Sequence, residues 1–333
     1  MKEIKVKFVD YWDDHHLEKD IIYKILKKHY QVKIVEDPDY LFYSVFSDDN
    51  LKYDCIKIFY TAENICPDFN LCDYAIGFEE LQFSDRYIRI PNFVKYLSDI
   101  ELMKNKNKDI INDEDFLNRK FCSFIYSNGN ADIKREKLFY EISKYKKINS
   151  AGRYLNNVGK VIEDKIDYEK NFKFSIACEN CSHMGYSTEK IVQSFAAKTV
   201  PIYWGDPDID KVFNPKSFIN LMKFSDFNEA IQYIKNVDAN GSLYLNMLRE
   251  PALLDPTYCD KKYMELESFL VNIIEQPKDE AYRRCNIARM GEYQRKMEEW
   301  RNIYLMRKYK EEHNIVNKIV NLSKTFLDKF LVN

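Results

Sequence analysis

Apolar and polar residues alternate over Ile4 to Val9 and again over Gln31 to Val35, and the stretch between, His16 to His29, carries helical spacing. The chain therefore opens strand, helix, strand. Short runs rich in β-branched and aromatic residues follow at Tyr40 to Phe46, Ile56 to Tyr60, Tyr74 to Phe78 and Tyr87 to Ile90. A charge-dense stretch, Lys104 to Glu114 (KNKNKDIINDE), breaks the pattern and marks a domain boundary. Beyond it, a strand over Phe121 to Tyr126 and a helix from about Arg135 to Tyr145 restart the alternation. No internal repeat or low-complexity tract interrupts this α/β organisation.

The most readable unit is a strand over Phe172 to Ala177, a helix over Glu189 to Ala197 and a strand over Thr199 to Trp204, a compact βαβ. In a parallel sheet, ligands bind beyond the carboxyl ends of the strands, which singles out CENCSHMGYSTEK and GDPDID. Ser187 and Thr188 stand where helix caps belong. The free N–H groups and dipole of that helix start favour an anion. Lys190 adds a full positive charge where the dipole disfavours one, so a compensating anion such as a nucleotide diphosphate is expected there, although a solvated surface lysine is the ordinary alternative. Glu179, Asn180 and Glu189 supply acceptors for sugar hydroxyls or base N–H groups.

Composition narrows the classes. The 333 residues are 45% hydrophobic and 31% charged, with 8 Gly and 9 Pro, a folded globular make-up. Neither GxGxxG nor GxxxxGK[ST] occurs, which argues against a plain dinucleotide dehydrogenase or a P-loop NTPase. Charges interrupt the apolar runs of MKEIKVKFVDYWDDHH, so no signal-peptide core is read there. With eight dispersed cysteines, a reducing cytoplasm is the expected location.

Two stretches carry a family resemblance. FSIACENCSHMGYSTEKIVQSFAAKTVPIYWGDPDIDKVFNPKSFIN, residues 174 to 220, closely resembles the signature region of α-1,3-fucosyltransferases of glycosyltransferase family 10. IFYTAENICPDFNLCDYAIGFEELQFSDRYIRIP, residues 58 to 91, resembles an N-terminal block of the bacterial members. The resemblance implies a GT-B fold, with two Rossmann-like domains facing each other across a cleft, the acceptor held mainly by the first and GDP-fucose by the second. It further implies inverting transfer of L-fucose to the 3-hydroxyl of GlcNAc in a lactosamine-type glycan, giving a Lewis x-type product. Domains are expected over 1–115, 116–278 and, as basic amphipathic helices, 279–333.

Carried onto this chain, the family pattern places donor contacts on Asn180, Tyr186, Glu189 and Lys190. The family's phosphate-binding arginine falls on Arg135, with Lys134 a rival. Glu63, in the TAEN turn, matches the family's base and is expected to take the acceptor proton, with Asn64 orienting it. Without the resemblance, Glu63 reads as a loop carboxylate. Arg135 and Lys190 would offset charge on the leaving diphosphate in place of a metal. No cofactor is expected beyond the donor substrate. The run Asp206, Asp208, Asp210 lacks the spacing of a calcium loop, and Cys178 and Cys181, with His183 nearby, lack a fourth zinc ligand and read as incidental thiols. A transferase of different sugar or α-1,4 specificity, or a non-catalytic glycan- or nucleotide-binding protein, are the alternatives.

Charge is uneven. Residues 281–333 hold 12 Lys/Arg against 6 Asp/Glu, a balance of +6 in a chain whose net charge is −2. Trp300, Tyr304, Tyr309, Ile315, Val316, Ile319, Val320, Phe326, Leu327, Phe330 and Leu331 recur there at helical spacing. Such a helix is expected to dock on its own domain or, as the alternative, to bind a partner or a membrane surface, peripherally on the inner membrane. No nucleic-acid motif accompanies the charge.

Overall fold

The computed structural model describes residues 1–12, 15–109, 112–284, 292, 293, 295–297 and 299–310. The first sheet contains β1 (Glu3–Val9), β2 (Gln31–Ile34), β3 (Tyr40–Tyr43), β4 (Ile56–Tyr60), β5 (Tyr74–Gly77) and β6 (Tyr87–Arg89), in the spatial order β2-β1-β3-β4-β5-β6. The second contains β7 (Lys120–Phe124), β8 (Ile148–Ser150), β9 (Phe172–Cys178), β10 (Val200–Trp204) and β11 (Ile219–Asn220), ordered β8-β7-β9-β10-β11. Every pairing is parallel. Both sheets thus follow the doubly wound 2-1-3-4-5 order, which places a crevice where the winding reverses, between β1 and β3 in the first and between β7 and β9 in the second.

The helices are α1 (Ile21–His29), α2 (Leu97–Lys104), α3 (Asp113–Leu117), α4 (Ile133–Ser143), α5 (Lys165–Glu169), α6 (Glu189–Ala196), α7 (Phe227–Ala239), α8 (Gly241–Arg249), α9 (Tyr258–Glu275) and α10 (Lys278–Ala281). The first differs from the sequence expectation of a helix from His16. Leu17–Lys19 is a 3-10 turn, and the Asp20 carboxylate accepts from the N–H groups of Ile22 and Tyr23 at 2.8 and 3.1 Å. Capping at Asp20 satisfies the donors of a helix that begins one residue later.

The β9–α6–β10 unit forms as the pattern predicts, with β9 and β10 paired over five residues. Its helix also reaches the other half, since Ile191, Val192 and Phe195 share a core with Phe93, Val94, Ile100 and Met103. The chain then crosses back. Leu266, Leu270, Ile273 and Ile274 of α9 bury against the group that includes Ile4, Val6, Ile22 and Leu26, while the Lys2 ammonium donates to the Ile274 carbonyl at 2.8 Å. This part of the expected 116–278 segment therefore packs with the first sheet. A separate core under the second sheet joins Phe124, Leu138, Ile142, Ile176, Ile202, Tyr244 and Leu248.

Residues 283–333 form a unit distinct from 1–282. Within it, 299–310 are helical, with Trp300, Ile303 and Tyr304 exposed. Ile315, Val316, Ile319, Val320, Phe326, Leu327, Phe330 and Leu331 lie outside the described residues. Among the described residues no helix is long and apolar enough to cross a membrane.

Candidate active site

A cleft of about 790 Å³ opens at the carboxyl ends of the strands, with Glu63, Lys95 and Tyr96 on one side and Asn128 and Asn180 on the other. Glu63 lies three residues past β4, in a turn where its own N–H donates to Thr61 Oγ1 at 3.2 Å and its carbonyl accepts from the Ile65 N–H at 2.8 Å. Among the described residues its carboxylate has no hydrogen-bond or ion-pair partner, as a proton acceptor awaiting substrate requires. Asn64 does not orient it. That side chain instead donates from Nδ2 to Cys181 Sγ, in the turn after β9, at 2.9 Å.

On the opposite wall, the turn after β9 is clamped to the start of α4. Asp132 caps α4 by accepting from the Lys134 N–H, and its own N–H donates to the Asn180 carbonyl at 2.8 Å. Arg135, only 2% exposed, donates from Nη2 to Asn180 Oδ1 at 2.6 Å and from Nη1 to the Asn128 carbonyl at 3.2 Å. Its guanidinium stands over the Tyr126 ring at 4.3 Å, and its buried Nε–H has no hydrogen-bond partner among the described residues. Lys134 is exposed and turns toward the Trp204 ring at 5.2 Å. The two rivals therefore differ in setting: the arginine lies against the Asn180 turn, and the lysine lies over an aromatic surface.

The start of α6 departs from the sequence reading. Thr188 occupies the cap position but makes no side-chain cap. Its hydroxyl donates to Glu179 Oε2 at 2.7 Å, and its N–H donates to Oε1 at 2.8 Å. Lys190 Nζ donates to the same carboxylate at 3.1 Å and to Thr188 Oγ1 at 2.9 Å. Glu179 is fully buried and so does not present acceptors to a sugar. The anion that compensates Lys190 belongs to the chain itself. Burial works against the lysine charge, but Glu179 and Glu189 outweigh it and hold the ammonium above its usual pKa. Glu189 lies 3.4 Å from Lys190. Burial raises its pKa, yet Lys190, Lys165, its own N–H and Lys95 bring it to about 2, so it is ionised at neutral pH. Gly205 makes this packing possible, because a Cβ there would stand 2.4 Å from Glu179 Cγ. Gly185, at φ +79°, likewise abuts the Phe78 carbonyl of the first half.

Of the residues singled out in the sequence, Glu63 and Asn180 line the cleft. Arg135, Tyr186 and Lys190 are buried behind its wall, with Tyr186 packed edge-on against Phe78 at 5.2 Å. The aspartate run is consumed locally. Asp206 accepts from the N–H groups of Gly185 and Asp208, Asp208 pairs with Lys211, and Asp210 pairs with Lys223. His183 pairs with Glu79 at 2.9 Å.

The cleft lining also includes Lys95 and Tyr96, to which the sequence pattern does not point. Burial pulls the Lys95 ammonium below its usual pKa against the attraction of Glu189, Asp20 and Glu63, and burial followed by Glu189 raises the Tyr96 phenol. Both sit in a short 3-10 turn and its cap, NFVK and Tyr96, which has no distinguishing sequence pattern.

Two facing parallel sheets with a cleft at their carboxyl ends define a GT-B fold. Residues 6–96 match the model of the α-(1,3)-fucosyltransferase FucT N-terminal domain, and residues 117–285 match that of the glycosyltransferase family 10 (fucosyltransferase) C-terminal domain. The chain belongs to glycosyltransferase family 10. It is 33% identical over 317 residues to α-(1,3)-fucosyltransferase FucT of Helicobacter pylori, an alignment covering 82% of this chain and 66% of that protein. Over 131 residues it is 31% identical to human 4-galactosyl-N-acetylglucosaminide 3-α-L-fucosyltransferase 9, covering 38% and 36%. A solved α1,3-fucosyltransferase with GDP-fucose superposes with a TM-score of 0.73 at 30% identity, covering 86% of this chain and 94% of that one. The chain thus spans just under two thirds of the H. pylori relative and about a third of the human one.

Proposed function

We propose that this chain is an inverting α-1,3-fucosyltransferase that moves L-fucose from GDP-β-L-fucose to the 3-hydroxyl of GlcNAc in a lactosamine-type glycan. Family membership supports donor and linkage. The observation that carries the catalytic reading is the unpartnered Glu63 carboxylate in the same cleft as Asn180. As the acceptor oxygen attacks fucose C1, Glu63 takes its proton. The bond from C1 to the phosphate oxygen breaks on the opposite face, and its electron pair leaves with GDP. Arg135 and Lys190 supply positive charge beside the departing diphosphate. Asn180 contacts the donor from the cleft wall, while Tyr186 and Glu189, the other residues of the family's donor pattern, stand outside the cleft lining; neither metal nor cofactor takes part.

The protein acts in the cytoplasm, and its basic C-terminal unit rests peripherally on the inner membrane. Six Lys/Arg and exposed aromatic side chains within 292–310 support that placement. The catalytic reading is tested by Glu63→Gln in a transfer assay with EDTA. Transfer is expected to fall by about 10²- to 10⁴-fold with GDP affinity retained, whereas unchanged turnover removes Glu63 from the mechanism.

A further inference from the structure

Three neighbouring strands of the first sheet send side chains into the cleft. Val9, Tyr43 and Phe59 lie in register across β1, β3 and β4. Trp12 and Phe46 stand three residues beyond Val9 and Tyr43, and Glu63 four beyond Phe59, all lining the cleft. Glu63 is the base in the reading above, while Trp12 and Phe46 flank the β1/β3 reversal of winding, the place where a doubly wound sheet receives a ligand. Strand spacing puts the Trp12 strand about 10 Å from the Glu63 strand, the span of a disaccharide rather than of one ring.

The two aromatics are not used by the fold. Trp12 is 62% exposed and Phe46 42% exposed, whereas the neighbouring Phe42 and Tyr43 are buried. Their rings meet nearly perpendicular at 5.0 Å, so each braces the other while much of the indole stays open. His16 and Lys24 line the same cleft and offer hydrogen-bonding groups beside the apolar surface. A pyranose matches this surface, with a C–H face to lay on an aromatic ring and a rim of hydroxyls for the polar groups.

We propose that Trp12, braced by Phe46, is an acceptor subsite that stacks the sugar adjoining the one whose hydroxyl Glu63 deprotonates. The subsite rests on the transferase reading and makes the enzyme prefer a disaccharide over its reactive monosaccharide. Steady-state transfer from GDP-fucose to N-acetyllactosamine and to N-acetylglucosamine, by wild type, Trp12→Ala, Trp12→Phe and Phe46→Ala, tests it. Trp12→Ala is expected to lower kcat/KM for the disaccharide by roughly tenfold while leaving the monosaccharide and the KM for GDP-fucose nearly unchanged. Trp12→Phe retains most of the preference, and Phe46→Ala loses part of it. Equal losses on both acceptors, no loss, or a weakened donor KM would overturn the assignment.

Should the wild type transfer to neither acceptor, the transferase reading fails and the subsite is judged by direct binding. Loss of N-acetyllactosamine affinity in Trp12→Ala then supports the stacking site, and affinity equal to wild type, including no binding by either protein, overturns it.

Discussion

Lys190 is the site residue whose role the geometry makes most demanding, because a buried carboxylate already satisfies its charge. Glu179 is fully buried and the Lys190 side chain is 11% exposed, with 3.1 Å between them. Replacing lysine alone, as Lys190→Met, leaves the buried Glu179 carboxylate in a low-dielectric setting with only Thr188 as donor. Removing one partner of such a pair costs about 3–5 kcal/mol. Adding Glu179→Gln removes the stranded charge and keeps a carbonyl for the Thr188 N–H, so the double variant is expected to recover most of that stability. Donor affinity responds differently if Lys190 meets the diphosphate. A lost charge-assisted contact is worth about 1.5–3 kcal/mol, or roughly 10- to 150-fold in Kd, and neutralising Glu179 does not restore it. Chemical denaturation and calorimetric titration with GDP-fucose, on both single variants and the double, separate the two effects. Donor affinity that returns together with stability would reduce Lys190 to a cation of the scaffold and refute its phosphate role.

Three further outcomes are expected. Arg135→Lys keeps the charge but loses the planar contacts to Asn180 and Asn128, so GDP-fucose binding weakens by at least about tenfold; affinity equal to wild type in calorimetry would contradict this. Lys106, 2% exposed and donating to the Leu248 carbonyl, is pulled by burial to about 7 from the usual 10.5. Between those values the unfolded chain binds the extra proton, so stability rises with pH by up to about 1.4 kcal/mol per pH unit from this group. Urea unfolding from pH 7 to 9.5 should show a flatter rise in Lys106→Met, and parallel curves would disprove the assignment. The intact chain should sediment with anionic phosphatidylglycerol vesicles and not with neutral phosphatidylcholine ones, and deleting residues 283–333 should abolish the anionic binding; undiminished sedimentation would place membrane contact elsewhere.

The βαβ unit was readable because its periods are clean. Phe172–Cys178 and Val200–Trp204 are short apolar runs around an amphipathic helix, and the turn after β9 follows from where parallel sheets bind ligands. The carboxylate assignments in that turn were harder. Nothing in CENC tells that Glu179 turns inward while Asn180 faces the cleft. That outcome depends on Gly205, at the end of a strand 26 residues away, having no side chain to block it. The docking of α9 on the first sheet joins residues such as Lys2 and Ile274 over 272 positions, a separation at which local pattern carries no information. The apolar spacing over 16–29 marks the end of α1 correctly but not its start, since the periodicity of 16–19 continues into the helix and only the Asp20 cap marks where it begins.

The central claim is transfer of fucose to a GlcNAc 3-hydroxyl, and the most direct measurement is incubation of the purified chain with GDP-fucose and N-acetyllactosamine, the product being weighed by mass spectrometry and its linkage read by NMR. The account predicts one added deoxyhexose, α-linked to O3 of GlcNAc. A product linked elsewhere, or GDP-fucose bound without transfer to any lactosamine acceptor, would contradict it.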